Sequence, residues 1–248
     1  VKRAKPFLYY ITEEIEKRDM PMELVLLPIL ESAFDPFAYS HGRAAGMWQF
    51  IPGTGKRFGM QQNWWYDGRR DVVASTQGAL DYLTYLNEMF DGNWLHALAA
   101  YNSGEGRVQR AIKANKRAGK PTDFWNLNLP KETRAYVPKL LALADILKNK
   151  DEYAYAWPEV ENVAVIEVVD IGSQVDLAFA AELAGMSLKE LHGLNPGFNR
   201  WATSPEGPHR LILPLDKAAA FSQALAKIDQ KERLNWVRHS VKPGDSLG

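Results

Sequence analysis

The residue of greatest chemical interest is Glu31, a carboxyl group placed directly after the apolar run Leu24 to Leu30 (LVLLPIL). On an unbroken helix Leu27, four positions earlier, shares its face. A carboxyl in apolar surroundings has its charged form disfavoured and its pKa raised, which equips it as a general acid near neutral pH. The alternative is a helix-end glutamate pointing to water, the commoner use of this residue type. Asp35 is the only nearby acid in the sequence, and Asp35-Pro36 reads as a turn.

Glu31 opens the first of four ordered segments: ESAFDP (31–36), SHGRAAGMWQFIPGTG (40–55), ALAAYNSGEGRV (97–108) and ETRAYV (132–137). Together they resemble the lytic transglycosylase family, whose catalytic domain is lysozyme-like and related to goose-type lysozyme. The resemblance implies that Glu31 is the sole catalytic acid and base and that Ser32 completes a Glu-Ser signature. It implies that Gln49 lines the glycan cleft, with Met47 and Trp48 standing where the family's Gly-Leu-Met-Gln segment has Leu-Met. Tyr101 and Asn102 match an Ala-Tyr-Asn segment beside the acid, and Tyr136 matches the tyrosine of Glu-Thr-x-x-Tyr. Ser40 lies where relatives carry a cleft serine. Read without the family, Trp48, Tyr101 and Tyr136 are equally core aromatics, Asn102 a helix C-cap and Ser32 a binder of local backbone.

A lone acid is chemically consistent with that family. Most glycosidases use two carboxylates, but one suffices when the nucleophile belongs to the substrate. The resemblance implies that Glu31 protonates the oxygen between MurNAc and GlcNAc, then accepts the proton of the MurNAc C6 hydroxyl as it closes onto C1. The product is a 1,6-anhydro end made without water, by an intramolecular second step. The same fold admits a goose-type muramidase that uses water. A noncatalytic peptidoglycan-binding scaffold is the reading from another class.

Other motifs carry no chemistry. PGTGKR (52–57) lacks the first glycine and the Ser/Thr of a phosphate-binding loop. The five histidines show no close ligand spacing and there is no cysteine, so neither cofactor nor metal is expected.

The elements that must position these residues are mostly helical over 1–150. Helices are expected near 11–19, around Pro28, over 71–90, over 93–101 and over 131–149, with loops and short helices between 34 and 70. The stretch Asn162 to Asp170 (NVAVIEVVD) is strand-like, two short helices follow over 175–186 and 187–195, and Leu211 to Leu215 reads as a returning strand. This second region resembles a diverged lysin motif, with residues 200–208 as an insertion. The expected fold class is α+β, mostly α: a lysozyme-like catalytic domain (1–150), a β-α-α-β module with its linker (151–216), and a helical linker leading into a truncated further lysin motif (217–248).

Thirty Lys and Arg balance 30 Asp and Glu over 248 residues, which removes bulk charge as an argument for nucleic-acid binding. The sum hides a split: residues 1–150 carry 21 basic and 16 acidic side chains, a net of +5, and the rest carry −5. The apolar run at 24–30 is far shorter than the roughly 20 residues of a membrane span. By resemblance the partner is the glycan strand of peptidoglycan, in the bacterial periplasm. The membrane would be reached only through an N-terminal lipid anchor outside this chain, and the protein is expected to be a monomer.

Overall fold

A computed structural model describes residues 3–153 and 160–234. The chain divides into two compact units, residues 1–165 and 166–248. Trp236 to Gly248, the expected start of a further lysin motif, lies outside the described residues.

The first unit is helical. Its elements are α1 (Lys5–Glu16), a single 3-10 turn (Met22–Leu26) running into α2 (Leu27–Ser32), α3 (Pro52–Arg57), α4 (Val72–Met89), α5 (Trp94–Ser103), α6 (Glu105–Arg117) and α7 (Lys131–Lys148). Pro28 sits in the first turn of α2, where its missing N–H leaves nothing unpaired. Asp71 caps α4 by accepting from the Ala74 N–H at 2.7 Å, and Asn93 caps α5 by accepting from the His96 N–H at 3.1 Å. Gly104, with φ at 85°, ends α5 and starts α6 in one residue.

Helix α5 is the centre of this unit and packs against α4, α6 and α7. Its buried Ala97, Ala99 and Ala100 are small enough for three neighbours to approach closely. Around them Leu80, Leu83 and Leu86 of α4, Ile11 and Ile15 of α1, and Val137 and Leu140 of α7 complete the core. Burying each such side chain is worth roughly 2 kcal/mol. The half-buried polar face between α1 and α4 is satisfied by Glu14, which accepts from Arg18 at 2.8 Å and from Gln77 at 2.7 Å.

The segment between α2 and α3 lacks regular structure yet is firmly held. The buried Arg69 guanidinium donates to the carbonyls of Arg43 (2.7 Å) and Phe50 (3.2 Å) and pairs with Asp67 (2.7 Å). Gly46, at φ 80°, passes so close to Arg69 that a Cβ would stand 1.8 Å from its carbonyl oxygen. Only glycine fits there.

The second unit pairs β1 (Ile166–Asp170) with β2 (Arg210–Pro214) antiparallel, Val168 opposite Ile212. Between them lie α8 (Leu177–Leu183) and α9 (Leu188–Leu194), the latter opened by a reciprocal Ser187–Glu190 capping box. The strand expected from residue 162 is regular only from Ile166. Asn195 is buried and stitches α9 to β2: its amide accepts from the Ile212 N–H (2.7 Å) and donates to the Ile212 and Leu191 carbonyls (2.8 and 3.0 Å). Residues 200–208 are built in, with Thr203 buried and exchanging bonds with Val175. The stretch expected as a helical linker from 217 opens with α10 (Leu215–Leu225), which packs on both strands and on α8 through Ala218, Phe221 and Leu225.

Candidate active site

Glu31 stands in the last turn of α2, just before Ala33 and Phe34 turn the chain through left-handed backbone (φ 52° and 57°). Its carboxylate faces a cleft of about 730 Å³ in the first unit. The phenol of Tyr136, buried on α7, donates a short hydrogen bond to Glu31 Oε1. Burial pushes the Glu31 pKa up to about 7; the Tyr136 bond opposes this and the negative charge of Glu132 adds to it. Burial also raises the Tyr136 and Tyr101 phenols well above their ordinary range, so at neutral pH both remain donors.

Six of the residues singled out in the sequence line this one cleft: Glu31, Ser40, Gln49, Tyr101, Asn102 and Tyr136. Asn102 is helical, not a cap; its Oδ1 accepts from Thr133 Oγ1 at 2.8 Å, which leaves the amide N–H₂ for a ligand. Gln49, at φ 51°, spends its N–H₂ on the Gly46 carbonyl at 2.8 Å and keeps its amide oxygen. Ser40 accepts from the Ala44 N–H at 3.1 Å, a turn that shapes the rim.

Ser32, Met47 and Trp48 stand behind the cleft and do not line it. Met47 and Trp48 are fully buried, because the loop between α2 and α3 turns inward at Gly46. Each has a positioning bond. The Ser32 hydroxyl donates to the Met47 carbonyl (2.9 Å), the Trp48 indole donates to Thr76 of α4 (3.1 Å), and Tyr101 donates to the Trp48 carbonyl (2.9 Å). This chain of contacts fixes α2, the loop and α5 relative to one another. Asp35 caps its own turn by accepting from the Phe37 N–H at 2.9 Å, as its Asp-Pro sequence suggests.

The cleft also has walls made by residues that the sequence reading did not single out. Phe50, Tyr82 and Tyr101 form an aromatic triangle with centroids 5.5 to 6.2 Å apart. Glu105 accepts from Tyr82 (3.1 Å) and from Arg57 (3.1 Å), and these bonds help hold its carboxyl below the usual range against the pull of burial. Glu132 and Lys139, on the same helix as Tyr136, also line the cleft. The i, i+4 spacing of Glu132 and Tyr136 is the one signal that predicts a shared face.

Against this geometry the sequence matches the Transglycosylase SLT domain over residues 9–124, and the "Lytic transglycosylase MltD, LysM-like domain" over residues 165–230. It is 47% identical to Membrane-bound lytic murein transglycosylase D of Escherichia coli (strain K12), over 99% of this chain and 56% of that protein. It is 43% identical to a Putative tributyltin chloride resistance protein of Alteromonas sp. (strain M-1), over 71% of this chain and 83% of that protein. The chain belongs to the lytic murein transglycosylase family. It spans about half the length of the Escherichia coli relative. A solved lytic transglycosylase Slt from Pseudomonas aeruginosa superposes with a TM-score of 0.46 at 27% identity, over 57% of this chain and 24% of its own. Within this chain the SLT match ends at residue 124, short of the Tyr136 that touches Glu31. The LysM-like match takes in α10 together with the β-α-α-β core.

Proposed function

We propose that this chain cleaves the β-1,4 bond between MurNAc and GlcNAc in peptidoglycan without water, leaving a 1,6-anhydroMurNAc end, with Glu31 as its single general acid and base. The observation that carries this reading is the pKa of about 7 that burial confers on Glu31 beside a donating phenol. Near neutral pH such a group is populated in both forms. It can protonate the leaving oxygen and then take the proton of the C6 hydroxyl. Tyr136 stabilises the carboxylate at the moment between those two transfers. The amide groups of Asn102 and Gln49 are proposed to orient the sugar, and Phe50, Tyr82 and Tyr101 to meet its apolar faces. Ser40 is proposed as a rim contact, with Ser32, Met47 and Trp48 as positioning residues.

One observation favours a second reading, hydrolysis by water: two further carboxylates, Glu105 and Glu132, line the cleft. Glu105 is engaged by both Tyr82 and Arg57, which argues against it as a base. Mass spectrometry of muropeptides released from purified sacculi separates the two. Transglycosylation gives products one water lighter whose ends resist borohydride; reducible ends would mean hydrolysis, and no soluble product would mean a scaffold.

No helix among the described residues is long and apolar enough to cross a membrane. We propose a periplasmic setting for the protein, with outer-membrane attachment through a lipid anchor, in keeping with the membrane-bound relative. Glycan strands are the proposed partner and a monomer the proposed state.

A further inference from the structure

The face of α7 that carries Tyr136 goes on to carry a cation. Lys139 follows one helical turn later, is exposed, and lines the same cleft as Glu31. Among the described residues the charged lining consists of the carboxyl groups of Glu31, Glu105 and Glu132 and this one ammonium.

A lysine on a solvated helix face is commonly matched by a carboxylate three or four positions away. Here those positions are Ala135, Tyr136, Ala142 and Leu143, none of them acidic. Among the described residues no carboxylate lies within ion-pair distance of Lys139, whereas the lining residue Glu105 is already matched to Arg57 at 3.1 Å. The cleft therefore presents one unmatched positive charge, placed one turn from the residue that touches Glu31.

Muramoyl and glucosamine units differ at C3, where the muramoyl unit bears a lactyl ether. That ether ends either in a free carboxylate or in a peptide that carries carboxylates. We propose that Lys139 is a specificity-determining residue, pairing with a carboxylate borne by the muramoyl unit seated beside Glu31. The inference rests on reading the cleft as a peptidoglycan site. It explains how a sugar cleft whose charged groups are mostly acids would place an anionic unit, and not its neutral neighbour, against the acid.

The test reads binding in a Glu31→Gln background, so that it is independent of turnover. Three ligands are titrated: glycan strands with intact stem peptides, strands stripped by an amidase to free lactyl carboxylates, and neutral chitohexaose. Lys139→Met is expected to weaken at least one carboxylate-bearing ligand roughly three- to tenfold, as befits a partly solvated ion pair. Whichever strand responds identifies the source of the carboxylate. Lys139→Arg should restore affinity, and the difference should fade at high salt. The inference is overturned by an unchanged affinity for both carboxylate-bearing strands, by a loss that arginine does not restore, or by an equal loss on chitohexaose. A chain that binds as expected but whose wild type releases no muropeptides would overturn the proposed activity alone.

Discussion

Tyr136 donates its phenolic hydrogen to Glu31 from 105 positions further along the chain, and this contact joins the C-terminal end of α2 to the middle of α7. Two opposing influences meet at that carboxyl: burial raises its pKa and the phenol lowers it. Burial prevails, and the group is left near 7. The first three predictions follow from that balance.

Glu31→Gln should reduce muropeptide release by at least about a thousandfold, the scale expected when a general acid and base is removed, while sacculus binding persists. Retention of near wild-type turnover would place the chemistry on another residue.

The same variant should be more stable than the parent, but only above acid pH. A raised carboxyl pKa favours the folded state fully below the unfolded value near 4.5, and that contribution is lost as pH rises through the folded value near 7. Replacing Glu31 by an uncharged amide removes the loss, worth on the order of 3 kcal/mol at pH 8 and close to nothing at pH 4. Thermal melts of both proteins across that range read the difference, and parallel curves would contradict the buried carboxyl.

Tyr136→Phe and Glu132→Gln should move the pH profile in opposite directions. Removing the phenol removes a bond that favours the charged carboxylate, so the limb of kcat/KM assigned to Glu31 shifts to higher pH. Removing the Glu132 charge relieves a repulsion, so the same limb shifts to lower pH. Shifts of the same sign in both variants would mean that a different group titrates.

Gly46→Ala should destabilise the first unit by about 3 kcal/mol or more, since its Cβ would lie 1.8 Å from the Arg69 carbonyl and its φ of 80° disfavours any side chain. Activity should fall with it because the loop carrying Gln49 and Phe50 is displaced. A melting temperature within a degree or two of the parent would show that the close approach is not as drawn.

Asn195→Ala should destabilise the second unit by roughly 3 kcal/mol, because the Ile212 N–H loses its buried acceptor and two carbonyls lose a donor. Hydrogen exchange should report the loss at β2, with the Ile212 amide exchanging faster; unaltered protection there would contradict the assignment.

Much of this arrangement was legible in the sequence because it depends on local order. An apolar run ending in Glu31 admits a carboxyl held out of water beside the commoner exposed one. The four ordered segments together favour the first, and ETRAYV falls on an expected helix. The helices expected from 71 and 93 begin one residue later, at Val72 and Trp94, with Asp71 and Asn93 each bonding the N–H three positions on. What was not legible depends on which way a loop turns. Met47 and Trp48 read as cleft residues beside Gln49, yet the left-handed backbone at Gly46 and Gln49 sends their side chains inward and Gln49 outward. Tyr82 lies in the middle of an amphipathic helix and gives no local sign of facing a cleft. Its role in the aromatic triangle exists only once α4 has packed on α5.

The Glu31–Tyr136 contact also bears on how this enzyme family can be dissected. A boundary drawn where the SLT match stops, at residue 124, retains the carboxyl, the Gln49 loop and the Tyr101–Asn102 pair but discards the helix that supplies the phenol. It also discards Val137 and Leu140, which help bury the helix carrying that pair. The SLT match is thus shorter than the folded unit that carries the proposed site, whose fourth family-like segment is ETRAYV at 132–137. Any swap or truncation meant to keep the proposed site intact has to extend through the end of α7 at Lys148.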